Sequence, residues 1–242
     1  MRSAELVSRN VKEVGRDPLS LGIAVALPVG LLLVLQSFGG DDVEILTPTQ
    51  LTPGIILFGF VMVMFSSAMI LARDRETALL NRLLTTPLRS WEFVAGYSVP
   101  YLAVGAAQAA VLLVLGALLG MEVAGSLLLV AAILAAMLVF YVALGMVFGS
   151  LMTVAQTSGA YAVVLLLTVF GGAWFDVNEV GGVFETIGDA LPFKHALDAC
   201  RAVLADGAGV GDVAGDLWWV LGYAVVAVVA AVLAFRGRML ED

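Results

Sequence analysis

Cysteine and histidine are nearly missing from this chain: Cys200 and His195 stand alone among 242 residues. One cysteine excludes an intrachain disulfide framework. One histidine without clustered cysteines leaves no ligand set for a transition metal, so no metal site is expected. Lysine is almost as scarce. Lys12 and Lys194 are the only two, and neither follows a glycine-rich loop. The G-x-x-x-x-G-K-[ST] phosphate loop is therefore absent, and no ATP site of that kind lies in this chain. Nucleophile elbows and H-E-x-x-H patterns are missing too, so no catalytic residue is assigned. Charged residues make up 13% of the chain, with a net charge of −8. Nucleic-acid binding needs a basic face, and this balance excludes it as a partner.

What is present is apolar: 61% of residues are hydrophobic and the mean hydropathy is +1.03. Six runs approach the roughly 20 residues that cross a bilayer. They are Leu19–Phe38, Pro53–Ala72, Val94–Leu119, Gly125–Gly149, Ser158–Trp174 and Leu217–Phe235. The third is long and holds Pro100 near its start, which a tilt or kink accommodates. No Asp, Glu, Lys or Arg falls at mid-depth in these runs. Ion- or proton-coupled transport usually needs such a group, or a broken-helix ion site. The polar stretch before the first run carries acids as well as bases, and no small-residue cleavage site follows that run, unlike a signal peptide.

Orientation follows from lysine and arginine. Arg2, Arg9, Lys12 and Arg16 precede the first run, Arg73, Arg75, Arg82 and Arg89 follow the second, and Arg236 and Arg238 follow the last. With six spans all ten fall on one side, leaving Lys194 and Arg201 on the other. The positive-inside rule then places both termini in the cytoplasm of a multi-pass protein. On the outer side lie an acidic stretch (Gly39–Thr52), a tight turn (Met121–Ala124) and a connection from Phe175 to Asp216 long enough to hold structure of its own. Small residues recur at four-residue spacing, as at Gly116/Gly120 and Gly145/Gly149, which permits close helix approach in lipid.

The stretch "ARDRETALLNRLLTTPLRSW" (Ala72–Trp91) concentrates charge between two apolar runs. Its charges must lie outside the membrane. Asp74 is placed to cap a helix, Leu79, Leu80, Leu83 and Leu84 recur at helical spacing, Arg75 and Arg82 lie off that stripe, and Pro87 forces a stop. Two readings fit this short amphipathic helix: a surface anchor in lipid headgroups, and a helix that docks into a groove on a soluble partner. Upstream, Leu6, Val7, Val11 and Val14 share a helical face, with Arg2, Glu5, Arg9, Lys12 and Arg16 elsewhere. That pattern describes an amphipathic helix at the membrane surface.

The segment from Arg73 through Glu76, the leucine stripe, Pro87 and Gly96–Tyr97 resembles the region after the second span in ABC-2 type ABC transporter permeases. One departure is visible: Thr77 and Ala78 follow Glu76 where the family often has a glycine. Residues 1–17 are similar to the family's elbow helix. "LPFKHALDACRAVL" (Leu191–Leu204) resembles the family's short segment before the last span, through Pro192, Phe193, Ala196 and Arg201, with Leu191 where asparagine is usual.

The resemblance implies one transmembrane domain over residues 1–242. Its fold would be an all-α integral membrane protein of six transmembrane helices. To these it adds an elbow helix (1–17), a cytoplasmic coupling-helix region (73–90) and outer-leaflet re-entrant helices (176–214) that include His195. It implies coupling to an ATP-binding subunit through Asp74, Arg75, Glu76, Leu79, Leu80, Arg82, Leu83 and Leu84. It also implies two copies of that subunit, which holds ATP and magnesium, and a second permease protomer, giving an exporter in the cytoplasmic membrane of a prokaryote; the few aromatics in the spans favour hydrophobic or amphiphilic substrates, drugs or lipids, over sugars. Gln108, near mid-span, is the candidate for substrate contact; an interhelical hydrogen bond is the alternative. A signalling or regulatory membrane subunit of the same architecture, or a membrane-embedded enzyme, are the rival functions.

Overall fold

A computed structural model of the chain describes residues 2–16, 18–39, 44–76, 90–173 and 182–241. Among these residues the secondary structure is helical, with no strand. Helix α1 spans Arg2–Gly15, α2 Pro18–Gly39 and α3 Pro48–Glu76, with a 3-10 turn at Glu44–Leu46 between the last two. Helix α4 spans Ser90–Leu118 and α5 Leu127–Leu151. Helix α6 covers Val154–Thr168 and runs on through a π turn at Val169–Ala173. Then come α7 (Val183–Ala190), α8 (Pro192–Asp206) and α9 (Ala214–Glu241).

Five of these helices are long and apolar enough to cross a membrane: α3, α4, α5, α6 with its extension to Ala173, and α9 as far as Gly237. Six spans are expected from the sequence. The remaining one falls on α2, whose apolar stretch Gly22–Phe38 is shorter than the other five. The expected boundaries shift where charge and helix end part company. Hydropathy stops the second run at Ala72, yet α3 continues to Glu76. Charge ends the membrane-compatible stretch; it does not break the backbone ladder. Pro100 sits well inside α4, because that helix starts at Ser90.

Helix α3 is the axis of the fold. Within its most apolar window 78% of residues are buried, against 22% to 50% for the other four candidate spans. Apolar burial cannot drive helices together where the solvent is itself apolar, so close approach must come from shape. Gly145 and Gly149 supply it. A Cβ on Gly145 would lie 2.2 Å from Ser67 Oγ on α3, and one on Gly149 would lie 2.7 Å from the Ala68 carbonyl oxygen. One turn along α5 from Gly145, Tyr141 meets Phe60 of α3 (centroids 6.2 Å) and stacks on Phe193 of α8 at 5.6 Å. A second apolar cluster forms at the end bearing the basic residues. There Leu6, Leu71, Phe93, Tyr97, Met146 and Phe235 bring α1, α3, α4, α5 and α9 together. The outward faces of α4, α6 and α9 remain apolar: Val114 is 61% exposed, Val163 57% and Val226 66%.

Candidate functional site

Asp74 is the centre of the basic end. It lies inside the last turn of α3 and is buried. The helix runs on through it to Glu76, so Asp74 is not at the start of a helix, as its position in the sequence suggests. Its Oδ2 accepts hydrogen bonds from Arg9 Nη2 of α1 at 2.9 Å and from Tyr97 Oη of α4 at 2.6 Å. Arg9 Nη2 also donates to Glu13 Oε2 at 2.9 Å. Burial works against the charge on Arg9, but the hydrogen bond and charge of Asp74 outweigh it, and the net shift of its pKa is upward.

The next two residues reach the other way. Arg75 Nη1 donates to the carbonyl oxygens of Gly149 at 2.7 Å and Met152 at 3.2 Å, at the end of α5. Those carbonyls belong to a helix terminus, where intrahelical donors run out. Glu76 Oε1 accepts from the backbone N–H of Val154, the first residue of α6, at 3.1 Å. Three consecutive residues thus tie the end of α3 to α1, α4, α5 and α6. Leu79, Leu80, Arg82, Leu83 and Leu84, expected to share this site, lie outside the described residues.

Helix α1 is held through a device that composition does not reveal. Pro100 has no N–H, which frees the carbonyl oxygen of Gly96 four residues earlier. Asn10 Nδ2 donates to that oxygen at 3.0 Å. Gly96 also makes room, since a Cβ there would lie 2.6 Å from Leu6 Cδ2. This docking sets the rotation of α1. Leu6 and Asn10 are buried, Val7 and Val14 are half-buried, and Val11 is 49% exposed. Lipid tails can cover a valine, but the Asn10 side-chain N–H needs an acceptor, and the Gly96 carbonyl supplies one on the inward side.

The same device recurs in α2, and it engages Gln108. Pro28 frees the carbonyl oxygen of Ala24, and Gln108 Nε2 of α4 donates to it at 2.9 Å. Gln108 is wholly buried, against Gly59, where a Cβ would lie 1.9 Å from Nε2. Gln108 thus makes the interhelical hydrogen bond that the sequence offers as the alternative to substrate contact.

At the opposite end, α8 starts with Pro192 in its first turn and buries Phe193. Arg201 Nη2 donates to the carbonyl oxygens of Gln50 at 3.2 Å and Gly172 at 2.9 Å, which joins α8 to α3 and to the π turn. His195 Nδ1 pairs with Asp216 Oδ1 at 2.6 Å, and its ring stacks on Trp219 at 5.1 Å. Lys194 pairs with Asp189. Burial pushes the Cys200 thiol up to about 12, an effect Arg201 only partly opposes. Among the described residues no cluster of His, Cys, Asp and Glu is arranged to hold a metal ion.

Apolar helices of spanning length around a buried charged junction define a multi-pass membrane subunit, and the family is assigned from the sequence. The model of the ABC-2 type transporter family matches residues 4–205, α1 through nearly all of α8, and the chain belongs to that family. Over 189 residues it is 25% identical to the "Probable multidrug ABC transporter permease YbhR" of Escherichia coli (strain K12), with the same figures for the protein of that name from Escherichia coli O157:H7. The aligned part is 77% of this chain and 51% of those proteins, so the chain spans about half the length of the curated relatives it matches.

Proposed function

We propose that this chain is the membrane subunit of an ATP-driven exporter that moves a hydrophobic or amphiphilic substrate out across the cytoplasmic membrane. In this reading α2 is the sixth span, both termini are cytoplasmic, and α1 is the elbow helix. Helices α7 and α8 belong to the outer-leaflet segment, 176–214. The region 73–90 docks on a separate ATP-binding subunit, present in two copies. Two permease protomers enclose the substrate path between them. The name of the Escherichia coli relatives supports the drug-like substrate class, and family membership supports the ATP-binding partner.

The observation that carries the reading is the bonding of Asp74, Arg75 and Glu76 to four neighbouring helices, immediately before residue 77. A force applied to 77–89 enters α3 where α3 is least free to yield alone. The last turn of α3 would pull α1 and α4 through Asp74, and the α5–α6 corner through Arg75 and Glu76. ATP-driven closure of the two partner subunits would then reach several spans together.

The docking helix is tested by replacing Leu80 and Leu83 with Asp. Burial of each leucine is worth roughly 1.5–3 kcal/mol, and a charge in an apolar groove adds a desolvation cost. The expected result is a protein that inserts normally, loses the ATP-binding subunit on purification and no longer transports. Retention of that subunit at wild-type stoichiometry, with transport preserved in lipid, would return this stretch to a surface anchor.

A further inference from the structure

A cleft of about 330 Å³ opens beside the junction, between α1, α2, α3 and α4. Phe65 and Met69 of α3 and Tyr101 and Val104 of α4 give it apolar walls. Its rim, at the basic end, carries Glu13, Arg73 and Asp74. The cleft follows α3 from Val63 to Arg73, ten residues and about 15 Å at the helical rise. That is half of the roughly 30 Å hydrocarbon thickness, the depth of one leaflet. Its polar and apolar ends are therefore ordered as those of a lipid are.

The rim selects the sign of the headgroup. Asp74 already accepts from Arg9 and Tyr97, and Glu13 from Arg9. Arg73 is exposed, and among the described residues its guanidinium has no partner. The adjoining face adds Lys12 of α1 and Arg16 just after it. Across the rim and that face, Arg9, Lys12, Arg16 and Arg73 stand against Glu5, Glu13 and Asp74. The donors left unfilled at the mouth are those of arginine, whose planar fork matches a phosphate.

We propose that this cleft seats an acyl chain of an anionic phospholipid of the cytoplasmic leaflet, with its phosphate on Arg73. The proposal rests on the transporter reading for the side of the membrane on which the rim lies. Its test is photolabelling of the full chain, co-purified with its ATP-binding subunit, in phosphatidylcholine nanodiscs doped with phosphatidylglycerol bearing a diazirine on one acyl chain. Labels should concentrate on the segments containing Phe65–Met69 and Tyr101–Val104. Arg73→Gln, at an exposed position, should lower that labelling about fivefold, the attraction of one basic residue to an anionic lipid surface. Ser66→Trp, which fills the cleft, should abolish it, and excess inorganic phosphate should not compete. Labelling spread evenly over outward positions such as Val114 and Val225 would overturn the proposal, as would labelling unchanged in Arg73→Gln or competed by phosphate. The subunit ratio is read on the same samples. Even labelling with the ATP-binding subunit retained removes the cleft alone, whereas focused labelling without that subunit removes the transporter reading alone.

Discussion

Pro28 and Pro100 each delete one backbone donor from a long helix, and in each case a buried side-chain amide from another helix replaces it. The pairing is worth more than an ordinary contact, because an orphaned carbonyl buried away from water costs about 1–3 kcal/mol. Asn10→Ala should therefore destabilise by about that much, read as a lower unfolding temperature in detergent. Pro100→Ala gives position 100 back its N–H and lets Gly96 bond within α4. In that background Asn10→Ala should cost less, by about 1 kcal/mol or more, in a double-mutant cycle. Strict additivity would show that Asn10 acts only by filling space. Gln108 invites the same cycle with Pro28. Its loss should lower stability before it changes any substrate preference.

At the scale of the element, the last turn of α3 separates holding from transmitting. Glu76 makes an exposed bond to the Val154 N–H, where its loss should cost no more than about 0.5–1 kcal/mol. Asp74 is buried with two donors aimed at it, and its removal leaves Arg9 and Tyr97 with a shared acceptor missing. Glu76→Ala should therefore lose at most about 1 kcal/mol of stability and keep the subunit stoichiometry yet lower ATP-driven transport, since the tie to α6 is gone. Asp74→Ala should cost about 2 kcal/mol or more of stability, in line with the loss of a charge-assisted bond. The ratio of transport to bound ATP-binding subunit, measured in one preparation, distinguishes the two. A Glu76→Ala protein that transports at the wild-type rate would remove α6 from the path of force.

For the whole molecule the test is topology, and Cys200 leaves the background clean. Only the thiolate reacts, and a buried thiol with its pKa raised to about 12 stays protonated at neutral pH. The native chain should resist maleimide until it is unfolded. Cysteines can then be placed at Val123, exposed in the turn between α4 and α5, and at Arg236, exposed near the end of α9. The first should label from outside intact cells and the second only after permeabilisation. Labelling of both from outside would show that α5, α6 and α9 do not all cross, and the reverse pattern would show that the orientation read from the basic residues is wrong.

Helical content and the places of the long apolar runs were legible in the sequence, because each depends on composition within about 20 residues. The leaning of Arg73–Glu76 to one surface and the presence of helices before the last run were legible for the same local reason. What the sequence left open were contacts between residues far apart along it. Asp74 reads as a cap until Arg9 and Tyr97 are brought to it, 65 and 23 residues away. Asn10 and Gln108 read as isolated amides until proline-freed carbonyls 86 and 84 residues distant come within reach. The rotation of α1 that exposes Val11 follows from the same cause. A hydrophobic stripe can be covered by lipid or by protein at similar cost, so pattern cannot choose between them, whereas a buried amide N–H settles where an acceptor meets it.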